Sequence, residues 1–156
     1  MPAEITTEID AFRERLPAAG ALVGLDLGAK TIGLAISDAG RRIASPLSLI
    51  RRKKFTADVE SIFEVAATSE PAGYVLGLPL NMDGSEGPRA QATRTFARNL
   101  ANRTDLPILL WDERLSTVVV DRVLIDADRS RARRAELVDK MAAAYILQGA
   151  VDRLGN

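Results

Sequence analysis

The stretch Val23-Gly24-Leu25-Asp26-Leu27-Gly28-Ala29-Lys30-Thr31-Ile32-Gly33-Leu34-Ala35-Ile36-Ser37-Asp38 limits the possible folds more than any other. Two apolar runs flank a short turn that contains glycine, which is the pattern of a β-hairpin. Its first strand carries a carboxylate, Asp26. Aspartate suits strands poorly and is costly to bury alone. An acid placed there calls for a metal ion, a hydrogen-bond donor or a cation. Gly28 suits the turn, and Gly33 lets another backbone or a ligand come close. An ordinary hairpin with Asp26 capping its turn is the competing reading. A phosphate-binding P-loop is excluded. That motif needs four residues between its first glycine and Gly-Lys-Ser/Thr, then a helix, whereas Ile32 to Ile36 reads as a strand.

The rest of the chain builds on this hairpin. Ile5, Ile9, Phe12 and Leu16 recur at helical spacing, which predicts a short amphipathic helix over 5–16 that Pro17 ends. Residues 1–20 then form a helical extension and residues 21–156 a single domain. Strands are expected over about 21–27, 31–37 and 43–50, with Pro46 marking a bulge or an edge. Their short links make them a meander. A helix is expected from Thr56 as N-cap, then a strand over 73–78 and a helix opened by Pro88. A strand over 107–111 follows. Ser116 or Thr117 can cap a helix carrying Val119, Val120, Val123 and Leu124. An arginine-rich loop is expected over 128–135, and a last helix over 136–153. That helix is apolar almost all round, as a buried helix is, and Ala142, Ala143 and Ala144 allow close packing. Strands joined through helices pair in parallel by right-handed crossovers. The expected fold is α/β: a five-stranded mixed sheet, its first three strands a meander, with helices on both faces.

Three acids occupy awkward places. Asp26 lies inside a strand, Glu113 just after the last strand, and Asp139 in the first turn of the expected buried helix. Ligands of open α/β sheets gather at the carboxyl ends of strands, and Asp26 and Glu113 can share that end. At about 5 Å and an effective dielectric of about 20, each carboxylate pair costs on the order of 3 kcal/mol. A divalent cation removes that cost. Oxygen ligands favour Mg²⁺ or Mn²⁺, and two ions roughly 4 Å apart support in-line attack of water on a phosphodiester. Simpler readings stand beside this one: Asp139 complementing a helix dipole, Glu113 pairing with Arg114, and Asp112 as a competing ligand.

Composition narrows the chemistry further. The chain has no histidine and no cysteine, so the usual general base, thiolate catalysis and the usual zinc ligands are absent. Lack of cysteine fits a reducing, cytoplasmic location. No signal peptide or membrane-spanning run is visible, so no membrane partner is expected. Lys and Arg number 21, as do Asp and Glu. A neutral chain meets nucleic acid through local patches rather than bulk charge. Arg51-Arg52-Lys53-Lys54 is one such patch, and Arg129, Arg131, Arg133 and Arg134 are another. Either can equally be a solvated surface run.

Four blocks of this sequence resemble the YqgF (RuvX-like) family, described as pre-16S rRNA nucleases and Holliday junction resolvases. They are Asp26 to Asp38, Gly77 to Ser85, Asp112 to Thr117, and Val138 to Ala143 with Ile146-Leu147-Gln148. They run in the family's order and span roughly 21–152; residues 1–20 fall outside. The resemblance implies a ribonuclease-H-like fold and gives Asp26, Glu113 and Asp139 the catalytic and metal-binding roles, ranking Glu113 above Asp112. It gives the loop of Asn81, Asp83 and Ser85 a phosphate-holding role, which a turn with an N-cap would also explain. It makes Lys30, Arg114 and the arginine loop substrate contacts. Thr31 departs from the arginine many members carry, which removes one phosphate contact.

The expected function is metal-dependent hydrolysis of structured nucleic acid. The resemblance favours 5′-end processing of pre-16S rRNA. Resolution of a four-way DNA junction is the alternative, and a homodimer would fit it, since a junction offers two equivalent strands. A non-catalytic assembly factor keeping the fold is a third reading. An ATP-binding domain of the actin type is a fold-level analogy only, because those proteins use two such domains.

Overall fold

The computed structural model describes residues 3–115 and 131–155, with side chains over 3–115 and 141–155. The strands are β1 (Ile5–Thr6), β2 (Leu22–Leu27), β3 (Thr31–Ser37), β4 (Ala44–Arg51), β5 (Gly73–Leu78) and β6 (Ile108–Asp112). The helices are α1 (Ile9–Arg15), α2 (Phe55–Ala66), α3 (Pro88–Ala101) and α4 (Arg131–Leu154). The six strands form one sheet in the order β1-β6-β5-β2-β3-β4. β2, β3 and β4 pair antiparallel, as the meander requires, while β5, β6 and β1 join in parallel. Among the described residues the mixed sheet thus has six strands rather than the five expected.

The sixth strand is β1. The helix expected over 5–16 begins only at Ile9, because Ile5 and Thr6 pair with Ile108 and Leu109. The Thr6 hydroxyl then accepts the Glu8 amide at 3.0 Å, a local turn that competes with helix. Two-residue strands have no periodicity to read. Pro46 behaves as expected: β4 is an edge strand, and its register against β3 shifts between Leu34 and Ala35, where Ala35 faces Pro46. The expected Thr56 cap is displaced. Lys54 is the N-cap of α2 and makes no side-chain cap bond. Instead buried Asp58 accepts the Lys53 amide at 2.9 Å.

Alternation along β2 sends Val23, Leu25 and Leu27 to a core shared with Ile62 of α2 and with Phe96 and Leu100 of α3. Leu22 goes to the opposite core with Phe12, Ala143, Leu147 and Ala150. Helices therefore cover both faces. α4 lies so close to β2 that a Cβ on Gly24 would stand 2.8 Å from the Leu147 Cβ. α4 also starts earlier than expected: residues 131–135 are helix, not loop. No glycine or proline separates them from the apolar stretch, and arginine and alanine favour helix. The cap and helix expected over 116–124, and Arg129, lie outside the described residues.

Gln148 ties α4 to the sheet edge. Its Oε1 accepts the Ala44 amide at 2.8 Å, and its Nε2 donates to the Arg42 carbonyl at 3.0 Å and to Asp152 at 2.8 Å. Gln148→Ala leaves the Ala44 amide at the start of β4 without that acceptor. It should cost about 1–2 kcal/mol, read as a lower urea midpoint at unchanged slope.

Candidate active site

Asp26 stands late in β2 on the α4 side of the sheet. Its antiparallel partner is Gly33, so no side chain crowds it from β3. Glu113 opens a 3₁₀ turn directly after β6. Its carboxylate lies over Gly77 of β5, where an added Cβ would meet Glu113 Oε1 at 2.7 Å. Gly77 pairs with Trp111 across the parallel β5–β6 ladder, which brings the end of β6 beside the end of β5. Asp26 and Glu113, 87 residues apart in the chain, thereby meet close enough for a carboxyl–carboxylate hydrogen bond.

Such a bond needs one shared proton. Burial pushes the Glu113 carboxyl up to about 7, and the charge of Asp26 and the bond to it push the same way. Arg89 pulls it down and Asp112 adds a small upward push. Its neighbour Asp112 moves oppositely. The Arg114 side chain, through its hydrogen bonds, holds Asp112 below the usual carboxylate range against a partial desolvation. Arg114 donates to Asp112 from Nε at 3.0 Å and from Nη2 at 2.7 Å. Adjacent acids therefore have separate tasks: Asp112 holds a guanidinium, and Glu113 faces Asp26.

Asp139 lies on α4, seven residues before Ile146, and its side chain is outside those described. Because α4 begins at Arg131, Asp139 is in the third turn and not the first. The dipole reading of this acid loses its basis, since that effect fades within one turn. Among the described residues no group of three acids is placed to hold one ion.

The middle loop closes on itself. The Asn81 amide donates to the Ser85 carbonyl at 2.9 Å and the Gly84 amide to the Asn81 carbonyl at 2.8 Å. Asp83 accepts from the Ser85 hydroxyl at 2.6 Å and its amide at 2.9 Å, and the Ser85 hydroxyl accepts from Asn81 Nδ2 at 3.0 Å. Gly84 has φ +88°, a conformation that favours glycine. These Ser85 bonds hold Asp83 below its usual pKa. Arg114 reaches this loop as well, donating from Nη1 to the Met82 carbonyl at 3.2 Å. Its guanidinium thus bridges the β6 end and the loop. Lys30 is exposed at the hairpin turn, apart from that bridge, and its carbonyl accepts the Arg52 amide at 2.8 Å.

Two residues escape sequence reading. Gly77 provides the hollow in which Glu113 rests, and Arg89 acts on Glu113 through its charge. Arg89 follows Pro88 at the start of a helix, where a cation is disfavoured by the dipole. That misfit is the signal that could have marked it.

Oxygen donors alone, two of them sharing a proton in a partly buried site, fit a hard divalent cation such as Mg²⁺ or Mn²⁺. Among the described residues no helix is long and apolar enough to cross a membrane.

The chain is similar to known proteins along nearly its whole length. Residues 20–153 match the model of the family described as RuvX, Holliday junction resolvase. A protein of Paracoccus denitrificans named "Putative pre-16S rRNA nuclease" is 59% identical over 150 residues, covering 96% of this chain and 95% of that one. A protein of the same name from Bradyrhizobium sp. strain BTAi1 is 62% identical over 154 residues, covering 99% and 95%. Among solved structures, T. thermophilus RuvC in complex with Holliday junction substrate superposes with a TM-score of 0.52 at 14% identity, covering 88% of this chain and 97% of that chain. The yeast mitochondrial Holliday junction resolvase Ydc2 does so at 0.50 and 12%, covering 94% and 84%. At those identities the likeness is one of fold, and the fold is the expected ribonuclease-H-like one.

Proposed function

The chain belongs to the RuvX family, and from that premise we propose that it is a metal-dependent nuclease that processes the 5′ end of pre-16S rRNA. The observation that carries the reading is the contact between Asp26 and Glu113, two acids brought together at the carboxyl ends of β2 and β6, the parallel strands on either side of β5. Burying two acids that must share a proton near neutral pH costs stability, so the pair points to a site rather than to packing. Asp139 completes the set in this proposal. Positions 139 and 146 are seven apart, on one stripe of α4, and Ile146 approaches Gly77 beneath Glu113.

Asp26, Glu113 and Asp139 would hold Mg²⁺ or Mn²⁺, in all two ions. When bound, these supply positive charge to the attacking and leaving oxygens of the phosphodiester. The chain's own groups orient the substrate. Arg114 fixes the 81–85 loop relative to the acids, so that Asn81, Asp83 and Ser85 present one rigid surface beside the cleaved strand. Lys30 projects from the hairpin turn next to Asp26 and offers an ammonium to a neighbouring phosphate. The same reading places the protein in the cytoplasm with ribosomal precursors.

The relatives' name favours ribosomal RNA; the family's description keeps a branched DNA junction as the second reading. The two separate in one experiment. Labelled precursor rRNA and a four-way DNA junction are incubated with Mg²⁺, Mn²⁺ or chelator, using the native chain and Asp139→Asn. The expected result is metal-dependent cutting of the precursor, lost in the variant. Preferential cutting of the junction would transfer the assignment to resolution, which also requires two sites related by a two-fold axis and hence a dimer on sedimentation. No cutting of either would leave a binding role.

A further inference from the structure

We propose that the cavity between the β2–β3 turn and the start of α3 is a second phosphate subsite for the substrate strand, held by Arg52 and Arg89. This rests on the nuclease reading above and says where the strand runs beyond the acids. The cavity encloses about 140 Å³. Leu27, Ala29 and Ala92 form its apolar wall, and Arg52, Arg89 and Thr93 its polar side. Two guanidinium groups and no carboxylate line it among the described residues. In a chain with 21 basic and 21 acidic side chains, that local imbalance selects an anion.

Arg52 is already positioned. Its Nη1 donates to the Gly28 carbonyl at 2.7 Å, and the guanidinium carbon lies 6.0 Å from the centre of the Phe96 ring. One of five N–H donors is used there, which leaves a planar fork for a phosphate. Arg89 is exposed in the first turn of α3, where the helix dipole disfavours a cation. Helix stability therefore does not account for it, whereas a bound anion would. The Thr93 hydroxyl gives its one proton to the Arg89 carbonyl at 3.1 Å, so the donors the lining offers are those of the two arginines, which suit an anion and do little to read the edge of a base. A phosphate fits this better than a nucleobase.

The placement ties the cavity to the acids. Gly28 follows Asp26 by two residues, and the charge of Arg89 reaches Glu113. Leu27 and Asp26 point to opposite faces of the sheet. A strand crossing the sheet's end can thus touch the acids on one side and the arginines on the other.

Anisotropy titrations with a short labelled single-stranded RNA and a labelled four-way DNA junction test this, in chelator, over a salt series. Arg52→Gln/Arg89→Gln should weaken binding about tenfold or more, with the fold kept by circular dichroism and the melting temperature lowered only by loss of the Arg52 contacts to Gly28 and Phe96. It should also flatten the slope of log affinity against log salt by about 1.4 for RNA or 1.8 for duplex arms, two contacts' worth. Arg52→Lys keeps the charge and loses the fork, so it should keep the slope while lowering the affinity. Arg103→Gln, on the surface after α3, should leave affinity near that of the native chain. If the native chain binds and the double variant keeps its slope, the subsite is wrong and the nuclease reading stands. If the native chain binds neither probe, the nucleic-acid reading fails and the subsite falls with it.

Discussion

Glu113→Gln is expected to abolish cleavage and, at the same time, to raise the melting temperature of the metal-free protein. Both effects follow from where the carboxylate sits. Burial first, then Asp26's charge and its hydrogen bond, lift Glu113 to about 7, against about 4.3 for a free glutamate. Below the unfolded value the group is protonated in both states and costs nothing. As pH rises from about 4.3 to 7, the unfolded chain releases a proton that the folded chain keeps, so stability falls across that window. Above it the loss is constant, about 4 kcal/mol from the shift alone and on the order of 2 kcal/mol once solvent screening of this partly exposed group is allowed for. A glutamine amide can still donate to Asp26 and carries no charge. The variant should therefore lose that pH slope and melt about 4–8 °C higher near pH 8. Cleavage should fall on the order of 10³-fold or more. Mg²⁺ should raise the melting temperature of the native chain and not of the variant. A variant less stable than the native chain near pH 8 would mean that the acid pair is structural.

This divided outcome separates a functional residue from a structural one better than activity alone. Loss of a structural acid costs stability, whereas loss of an acid kept for a cation or a substrate restores it. Asp112 provides the contrast. Its carboxylate is paired with Arg114 at 2.7 Å, and its pKa is held low, so its stabilising contribution is present at neutral pH and is lost only in acid.

Parts of this arrangement can be read from the residues alone. The hairpin around Asp26 is legible because alternation and a glycine turn are local signals, and Pro46 marks the bulge for the same reason. The pairing of Asp26 with Glu113 is legible only as an inference from strand ends, since it depends on β5 lying between β2 and β6. β1 is too short to carry a pattern. Lys54 rather than Thr56 is the N-cap of α2 because buried Asp58 reaches back to the Lys53 amide, a local side-chain bond that overrides the usual cap preference. Arg52 and Arg89 are 37 residues apart and meet at one cavity only once α3 packs against the hairpin. The Arg51-Arg52-Lys53-Lys54 run shows charge in the sequence, but not which one of its members lines the cavity.

Gly77→Ala is the second substitution with a large expected effect, and it tests the hollow directly. The added methyl carbon would stand 2.6 Å from Ile146 Cδ1, 2.7 Å from Glu113 Oε1 and 2.8 Å from Glu113 Cγ. Gly77 does not have a positive φ, so alanine is not excluded by the backbone; it even restricts the unfolded chain, by about 0.4–1 kcal/mol. Space alone opposes it. Ile146 is buried against β5, and overpacking there should cost about 1–3 kcal/mol. Glu113 is the more mobile neighbour and would swing away from Asp26. A displacement of about 1 Å is worth roughly 10² in rate, so activity should fall by at least that factor. Ile146→Val removes the Cδ1 atom that the methyl strikes. Combined with Gly77→Ala it should recover part of the stability, a coupling that a double-mutant cycle measures, while activity stays low because Glu113 remains displaced. Recovery of both together would mean that α4 packing, and not the position of Glu113, is what the glycine protects.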